Sequence, residues 1–249
     1  MLMSRIIPVL IIRNKGLIQT VKFKEDKYIG DPINAVKIFN EKKVDEIIIL
    51  DIDATSQNRK PDYKLIESIA AQCRSPLCYG GGINSVSIAK KILSLGVEKV
   101  AISTEAIQNP KFLRELVLAI GSQSVVVVLD IKKKFLSGYE IMISNGIRKS
   151  GYTPIEYLEI IRNIGVGEIV LNSIDCDGMM EGYPFDLFDK LKEYIDVPMT
   201  ILGGVGSESD LKSAVERYGT VGAAAGSYFV YKGKFRAVLI DYPDNPRGI

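Results

Sequence analysis

Short runs of aliphatic and β-branched residues alternate along the chain with longer segments in which apolar residues recur every three to four positions. A short apolar run marks a strand, and the longer period marks a helix that packs on the sheet through one face. Eight strands are predicted, beginning near Arg5, Glu46, Pro76, Glu98, Ser124, Glu168, Pro198 and Val221, with EIIILDI, SVVVVLDI and EIVLNSI the clearest. Between them the period predicts helices over about 32–43, 61–73, 85–95, 109–120, 154–164, 184–195 and 207–218. Asp31-Pro32, Asn109-Pro110 and Thr153-Pro154 each set a capping side chain before a proline, whose missing N–H costs nothing at the first helical position. Such alternation predicts parallel strands under covering helices, as an open doubly wound sheet or a closed barrel.

An internal repeat favours closure. LDIDATSQNRKPD followed by LCYGGGINSVSIAKKIL recurs loosely as NSIDCDGMMEGYP followed by TILGGVGSESDLKSAV, and VEKVAISTEA answers to VGAAAGSYF, about half the chain away. Two similar (β/α)4 halves make a (β/α)8 TIM barrel, and 249 residues fit one such domain over 1–249. The tail VYKGKFRAVLIDYPDNPRGI is too short and proline-broken for a full eighth helix, so that helix should be short or atypical after about residue 230. The repeat also exposes a mismatch: where the fifth strand ends in Asp130, the first strand, RIIPVLII, has Ile11.

Composition narrows the chemistry. Apolar residues make up 47% and charged residues 25%, without the ~18-residue apolar stretch of a membrane span, so a soluble protein away from membranes is expected. The opening MLMSRIIPVLII has no small-residue cleavage site and runs into a strand, so no targeting peptide is read. Thirty-two basic and 30 acidic side chains leave a net charge of +2, too balanced to steer the chain onto nucleic acid, and Lys132-Lys133-Lys134 reads as a solvated loop. The three cysteines, Cys73, Cys78 and Cys176, show no CxxC spacing, which suits a reducing cytoplasm. No histidine is present, so no imidazole base, no transition-metal site and no cofactor are expected; acid–base work falls to carboxylates, lysines or tyrosines.

Reacting groups in such barrels sit at the C-terminal strand ends. There Gly81 and Gly82 in the third loop, and Gly203 and Gly204 in the seventh, would let backbone N–H groups approach an anion, with Ser85 and Ser207 opening the next helices. Ser103-Thr104 and Gly226-Ser227 add hydroxyls on the neighbouring strands. The paired arrangement predicts two anion sites on opposite sides of one mouth, for a phosphorylated small molecule. Asp51, Asp130, Asp175 and Asp177 end strands two, five and six, each able to serve as acid, base or ligand holder; Asp130 follows a buried run and should have a raised proton affinity. At the opposite strand ends stand Arg5, Glu46, Lys99 and Glu168. They form either an inward ring, which would need near-complete salt bridging, or a set of solvated strand starts.

The fragments RIIP, GDPINAVKIFNEKKVDEIIILDI, YGGGI, EKVAIST, GSQSVVVVLDIK, GEIVLNSIDCDG and LGGVGS, from Arg5 to about Phe229, resemble HisF, the cyclase subunit of imidazole glycerol phosphate synthase. The resemblance implies a barrel that closes an imidazole ring with ammonia from a HisH-like glutaminase docked at its bottom. It places the ammonia gate on Arg5, Glu46, Lys99 and Glu168, and the glutaminase contact at Glu98 and Gln123. Phosphate and substrate binding falls to Asp51, Gly81, Gly82, Ser103 and Thr104 on one side, where an asparagine usual at position 103 is absent. On the other side it falls to Asp177, Gly178, Gly203, Gly204, Gly226 and Ser227. Of the two catalytic aspartates Asp130 is one; Ile11 stands at the other, and Gln19 replaces a lysine of the first loop. An intact gate with a damaged site resembles the second-HisF or WbuZ-type branch, which accompanies a second glutaminase and an N-acetyl sugar amidotransferase in surface-polysaccharide or flagellar-sugar biosynthesis. The expectation is an ammonia-conducting subunit with an impaired cyclase site; the alternative is an active cyclase in which Asp51 or Asp175 stands in for the missing carboxylate.

Overall fold

In the computed structural model, which describes residues 3–243, the apolar run of the first strand is buried on both faces. This strand, β1 (Arg5–Arg13), turns Ile7 and Val9 into one apolar cluster and Ile6, Leu10 and Ile12 into another, as expected for a strand covered by helices on one side and by other strands across a barrel on the other. The remaining staves are β2 (Ile47–Asp51), β3 (Leu77–Gly80), β4 (Lys99–Ile102), β5 (Val125–Lys133), β6 (Glu168–Ser173), β7 (Met199–Leu202) and β8 (Gly222–Ala225). All eight pair in parallel with their sequence neighbours, and Arg5 opposite Gly222 joins β1 to β8. The sheet is therefore a closed (β/α)8 barrel, as the repeat implied, and the open alternative is excluded.

Among the described residues seven helices of eight or more residues cover it, with a short one at Thr104–Gln108: α1 (Pro32–Glu41), α2 (Tyr63–Ala70), α3 (Val86–Leu93), α4 (Pro110–Ile120), α5 (Pro154–Ile164), α6 (Phe185–Lys192) and α7 (Glu208–Tyr218). The capping signals act as read. Asp31 accepts from the Asn34 N–H at 2.8 Å, Asn109 caps α4, and Thr153 forms a reciprocal box with Glu156. Ser85 and Ser207 cap α3 and α7.

The sequence pattern did not announce the elements that rise above the barrel. After β1 the chain turns at Asn14 and Lys15, with φ of 49° and 66°, the conformation of a two-residue hairpin turn. It returns as Gly16–Thr20, which pairs with Asp26–Gly30. β5 likewise continues into Tyr139–Ile143 and Arg148–Lys149. Lys132 and Lys133 therefore belong to a strand, and only Lys134 lies in the turn; all three are exposed, so the expected loop is replaced by a hairpin while its solvation stands. Past β8 a short helix, Ser227–Val230, leads into the antiparallel pair Tyr231–Lys232 and Ala237–Val238. Residues 244–249, which include the last proline of the tail, and residues 1–2, the start of the apolar run weighed as a targeting segment, lie outside the described residues. Among the described residues no helix is long and apolar enough to cross a membrane.

Candidate functional site

The barrel axis has three zones. At the N-terminal end Arg5, Glu46, Lys99 and Glu168 turn inward. Lys99 Nζ lies 2.8 Å from Glu46 Oε1 and 2.9 Å from Glu168 Oε2. Arg5 bridges the same two acids, pairing with Glu46 and holding Glu168 Oε1 at 2.8 Å. Each cation thus meets both carboxylates, which satisfies the near-complete pairing that burial demands. Burial alone would oppose the charge on Arg5 and Lys99, but the two glutamates more than compensate and both values rise. For Glu168 burial pushes the carboxyl up, yet bonds and charges from Arg5, Lys99 and Thr200 hold it below the usual range.

Thr200 of β7 is a fifth member of the ring that the sequence did not single out. Its hydroxyl donates to Glu168 Oε1 at 2.5 Å and accepts from Arg5 Nη2 at 3.4 Å. Gly222 makes room for it, since a Cβ there would lie 1.9 Å from Thr200 Oγ1. Below the ring a depression is lined by Met3, Pro76, Glu98, Gln123, Pro198 and Met199, so Glu98 and Gln123 lie on the same floor as the ring. Above it comes a sleeve of Ile7, Ile48, Cys78, Val126, Val170 and Ala224.

The third zone is a chamber at the C-terminal mouth, lined by Ile11, Gln19, Asp51, Gly81, Ser103, Thr104, Asp130, Asn172, Asp177 and Gly226, among others. Asp130 accepts from Asn172 Nδ2 at 2.8 Å and from Ser103 Oγ at 3.3 Å. Ile11, on the opposite stave, is 8% exposed. Asp51 is held by the Ala54 N–H at 3.1 Å and by Arg59 at 3.1 Å. Asp175 is not in the chamber: its carboxylate accepts from the Lys133 N–H at 2.7 Å on the rim. Asp177 is committed to the first loop, accepting from Thr20 Oγ1 at 2.9 Å. That loop in turn lays Phe23 against Gly146, and Phe23 lines the chamber.

The glycine loops read as anion cradles have their polar groups largely engaged within the chain. A Cβ on Gly81 would fall 2.3 Å from the Asp51 carbonyl, and one on Gly204 2.0 Å from that of Gly182, so both loops need glycine for close approach. On the first side Gly82 N–H donates to Thr55 Oγ1 at 3.1 Å and Thr104 Oγ1 accepts from the Ser144 N–H at 2.9 Å. On the second side the Gly206 and Ser207 N–H groups both donate to Asp210 at 2.9 Å. Gly178 packs on Thr20 and Gly203 on Ser173, so neither lines the chamber. Gln19, 4% exposed, lays its amide 3.0 Å from where a Cβ on Gly226 would be. Ser227 Oγ is buried without a hydrogen-bond partner among the described residues.

A model of the family described as histidine biosynthesis protein matches residues 5–236. A Vibrio vulnificus protein provisionally named imidazole glycerol phosphate synthase subunit hisF3 is 54% identical over 98% of this chain and 94% of its own length. The Pseudomonas aeruginosa protein provisionally named subunit hisF2 is 48% identical over 98% and 97%. The imidazole glycerol phosphate synthase subunit HisF of Streptococcus mutans is 33% identical over 93% and 92%. The chain belongs to the HisF family. It resembles the hisF2 and hisF3 relatives more closely than it does the S. mutans HisF.

Within this HisF-family barrel two chamber carboxylates, Asp130 and Asp177, are pushed up to about 6 by burial; Asp130 illustrates the consequence. Burial drives its carboxyl up to about 6, with the Asn172 and Ser103 bonds pulling the other way, so both protonation states are accessible near neutrality. Between roughly pH 4 and 6 the folded chain holds a proton that the unfolded chain has released, so this group's contribution to stability falls as pH rises through that window. Asp130→Asn should therefore stabilise the fold by about 2–3 kcal/mol at pH 7.5. The gain should shrink to nearly nothing by about pH 4, which denaturant titrations at four or five pH values would show.

Proposed function

We propose that this chain is the ammonia-conducting subunit of a glutamine amidotransferase complex, that it activates a HisH-like glutaminase docked on its N-terminal face, and that it has lost ring closure. The supporting observation is Ile11. Ring closure in this family draws on two aspartates, and the stave facing Asp130 presents an alkyl group that can neither donate nor accept a proton. The other parts of a conduit are consistent with the reading. A paired charge ring can admit a small neutral molecule by a minor rearrangement while repelling free ions, and the apolar sleeve above it penalises ammonium relative to ammonia. The depression around the ring, with Glu98 and Gln123 beside Met3 and Met199, gives the glutaminase a mixed polar and apolar seat.

The ammonia acceptor in this reading is an N-acetyl sugar carried through surface-polysaccharide or flagellar-glycan biosynthesis, with a separate amidotransferase making the new bond. The numbered hisF2 and hisF3 names of the relatives fit a second-HisF branch. The test is glutamine hydrolysis by the cognate glutaminase with and without this chain: at least tenfold stimulation is expected, and no stimulation together with no complex would sink the proposal. A second reading, an active imidazole glycerol phosphate synthase cyclase, is favoured by Asp51, whose carboxylate shares the chamber with Asp130. In that case Asp51→Asn would abolish ring closure.

A further inference from the structure

The hydrogen-bonded ring at the N-terminal end joins four charged side chains to one neutral one, Thr200, which is wholly buried. In the sheet register Thr200 of β7 stands beside Gly222 of β8, and Gly222 stands beside Arg5 of β1. A side chain on β8 would separate the two. Because Gly222 has none, the Thr200 hydroxyl spans that stave, accepting from Arg5 Nη2 at 3.4 Å while it donates to Glu168 Oε1 at 2.5 Å. Alanine at 222 would close the gap, with its Cβ 1.9 Å from Thr200 Oγ1 and 3.0 Å from Ile7 Cδ1. Gly222 does not have a positive φ, so what it supplies is space and not backbone freedom.

The two acids of the ring are held differently. Glu168 takes bonds from three staves: from Arg5 Nη2 at 2.8 Å, from Lys99 at 2.9 Å and from Thr200. Since Arg5 also bonds Thr200, these two and Glu168 close a triangle. Glu46 has only the two cations as side-chain partners among the described residues. The Arg5 and Lys99 side chains are 24% and 20% exposed on the floor, where water can compete for their bonds, whereas Thr200 is out of its reach. A carboxylate held by cations alone follows them when they move. One that is also bonded to a fixed hydroxyl stays in place.

We propose that Thr200 is a positioning residue of the conduit: it pins Glu168, and with it Arg5, as a fixed half of the ring, so that ammonia passes when Lys99 lets go and the ring does not come apart. The proposal rests on the conduit reading. Without the hydroxyl, Glu168 Oε1 keeps Arg5 as its partner and is free to follow Lys99. The ring then loosens, and nitrogen from the surrounding water gains entry at the floor.

Two measurements test this. They compare Thr200→Val, which keeps the shape, with Thr200→Ser, which keeps the hydroxyl, and Gly222→Ala, which displaces it and serves where valine prevents folding. The first follows the Glu168 carboxyl by side-chain NMR in the isolated chain, assigned with Glu168→Gln. Burial pushes this group up and its bonds to Arg5, Lys99 and Thr200 hold it below 4.5; Glu46 and the Cys78 thiol are the other titratable groups facing it. Thr200→Val and Gly222→Ala should move it upward, and Thr200→Ser should leave it at the wild-type value. A packing role would leave it unmoved in Thr200→Val, since valine fills the same space.

The second uses the chain assembled with its glutaminase and the N-acetyl sugar amidotransferase, supplied with glutamine labelled at the amide nitrogen and unlabelled ammonium in solution. Wild type should pass mainly labelled nitrogen into the product, and Thr200→Val should raise the unlabelled share about tenfold, the scale of one hydrogen bond to a charged group. That ratio does not depend on how much of the protein is folded. A Glu168 titration indifferent to Thr200→Val, or an isotope ratio equal to that of wild type, would overturn the positioning role. If wild-type product already carried the isotope ratio of the solution, the conduit reading itself would fall; label retained equally by wild type and Thr200→Val would remove the Thr200 inference alone.

Discussion

Glu168→Ala should lower the melting temperature by roughly 10 °C at pH 7, a loss of about 3–5 kcal/mol. Glu168 is the acid that the whole N-terminal ring shares: Arg5, Lys99 and Thr200 all bond to it. Removing it leaves two half-buried cations with one carboxylate, Glu46, between them, and strands the Thr200 hydroxyl. The cost comes from uncompensated charge rather than from the lost attraction itself, so Glu168→Gln, which keeps the shape and an acceptor, should lose less than Glu168→Ala but still destabilise. pH separates charge from packing. The Glu168 carboxyl titrates lower in the folded chain than its unfolded value of 4.5, so its contribution is present above that value and disappears as pH falls through the folded one. The penalty of Glu168→Gln should accordingly fade in acid, while a packing defect would persist. Thermal melts at pH 7 and at a series of pH values descending well below 4.5 read both.

Ile11→Asp combined with Gln19→Lys should raise ammonium-driven ring closure at least 100-fold over wild type, the scale of one recovered acid–base group. The substitution puts a carboxylate on β1 across the chamber from Asp130, whose value of about 6 already equips it for the partner role. Lysine at position 19 would set a cation near Gly226, on the side where Ser227 Oγ has no hydrogen-bond partner among the described residues. Both sites are buried, at 8% and 4% exposure, so the double variant should also be less stable than wild type. Recovery should remain short of a full cyclase, because Asp177 and Gly178 are packed against the first loop and Asp210 already occupies the amides that open α7.

The barrel was legible because its signals are local. Alternation set the staves, proline-led caps set the helix starts, and the half-chain repeat implied closure. The charge ring was half legible. Alternation put Arg5 on one face with Val9 and Ile11, Lys99 with Ser103 and Glu168 with Asn172, but whether that face turned inward and buried four charges depended on distances between staves far apart in sequence. Thr200 was invisible for the same reason, since its hydroxyl matters only beside Glu168 and only because Gly222 clears the space. The rim ribbons GLIQT and DKYIG carry too little apolar alternation to announce strands: GLIQT folds back antiparallel on the end of β1 and pairs with DKYIG, and neither is a stave of the barrel. Among the carboxylates at the mouth, strand-end position could not tell Asp130, held by Asn172 and Ser103, from Asp175, which is spent on a rim amide, or Asp177, which bonds the first loop.

The central claim, a HisF-family barrel that passes ammonia on without closing a ring, is tested most directly with the wild-type chain alone. The measurement is turnover of phosphoribulosyl-formimino aminoimidazole carboxamide ribotide in saturating ammonium at mildly alkaline pH, which removes any dependence on a glutaminase. The account predicts formation of imidazole glycerol phosphate at least 100-fold slower than the Ile11→Asp/Gln19→Lys variant achieves. Rapid wild-type turnover, unaffected by restoring the aspartate, would contradict it and make this chain a cyclase in its own right.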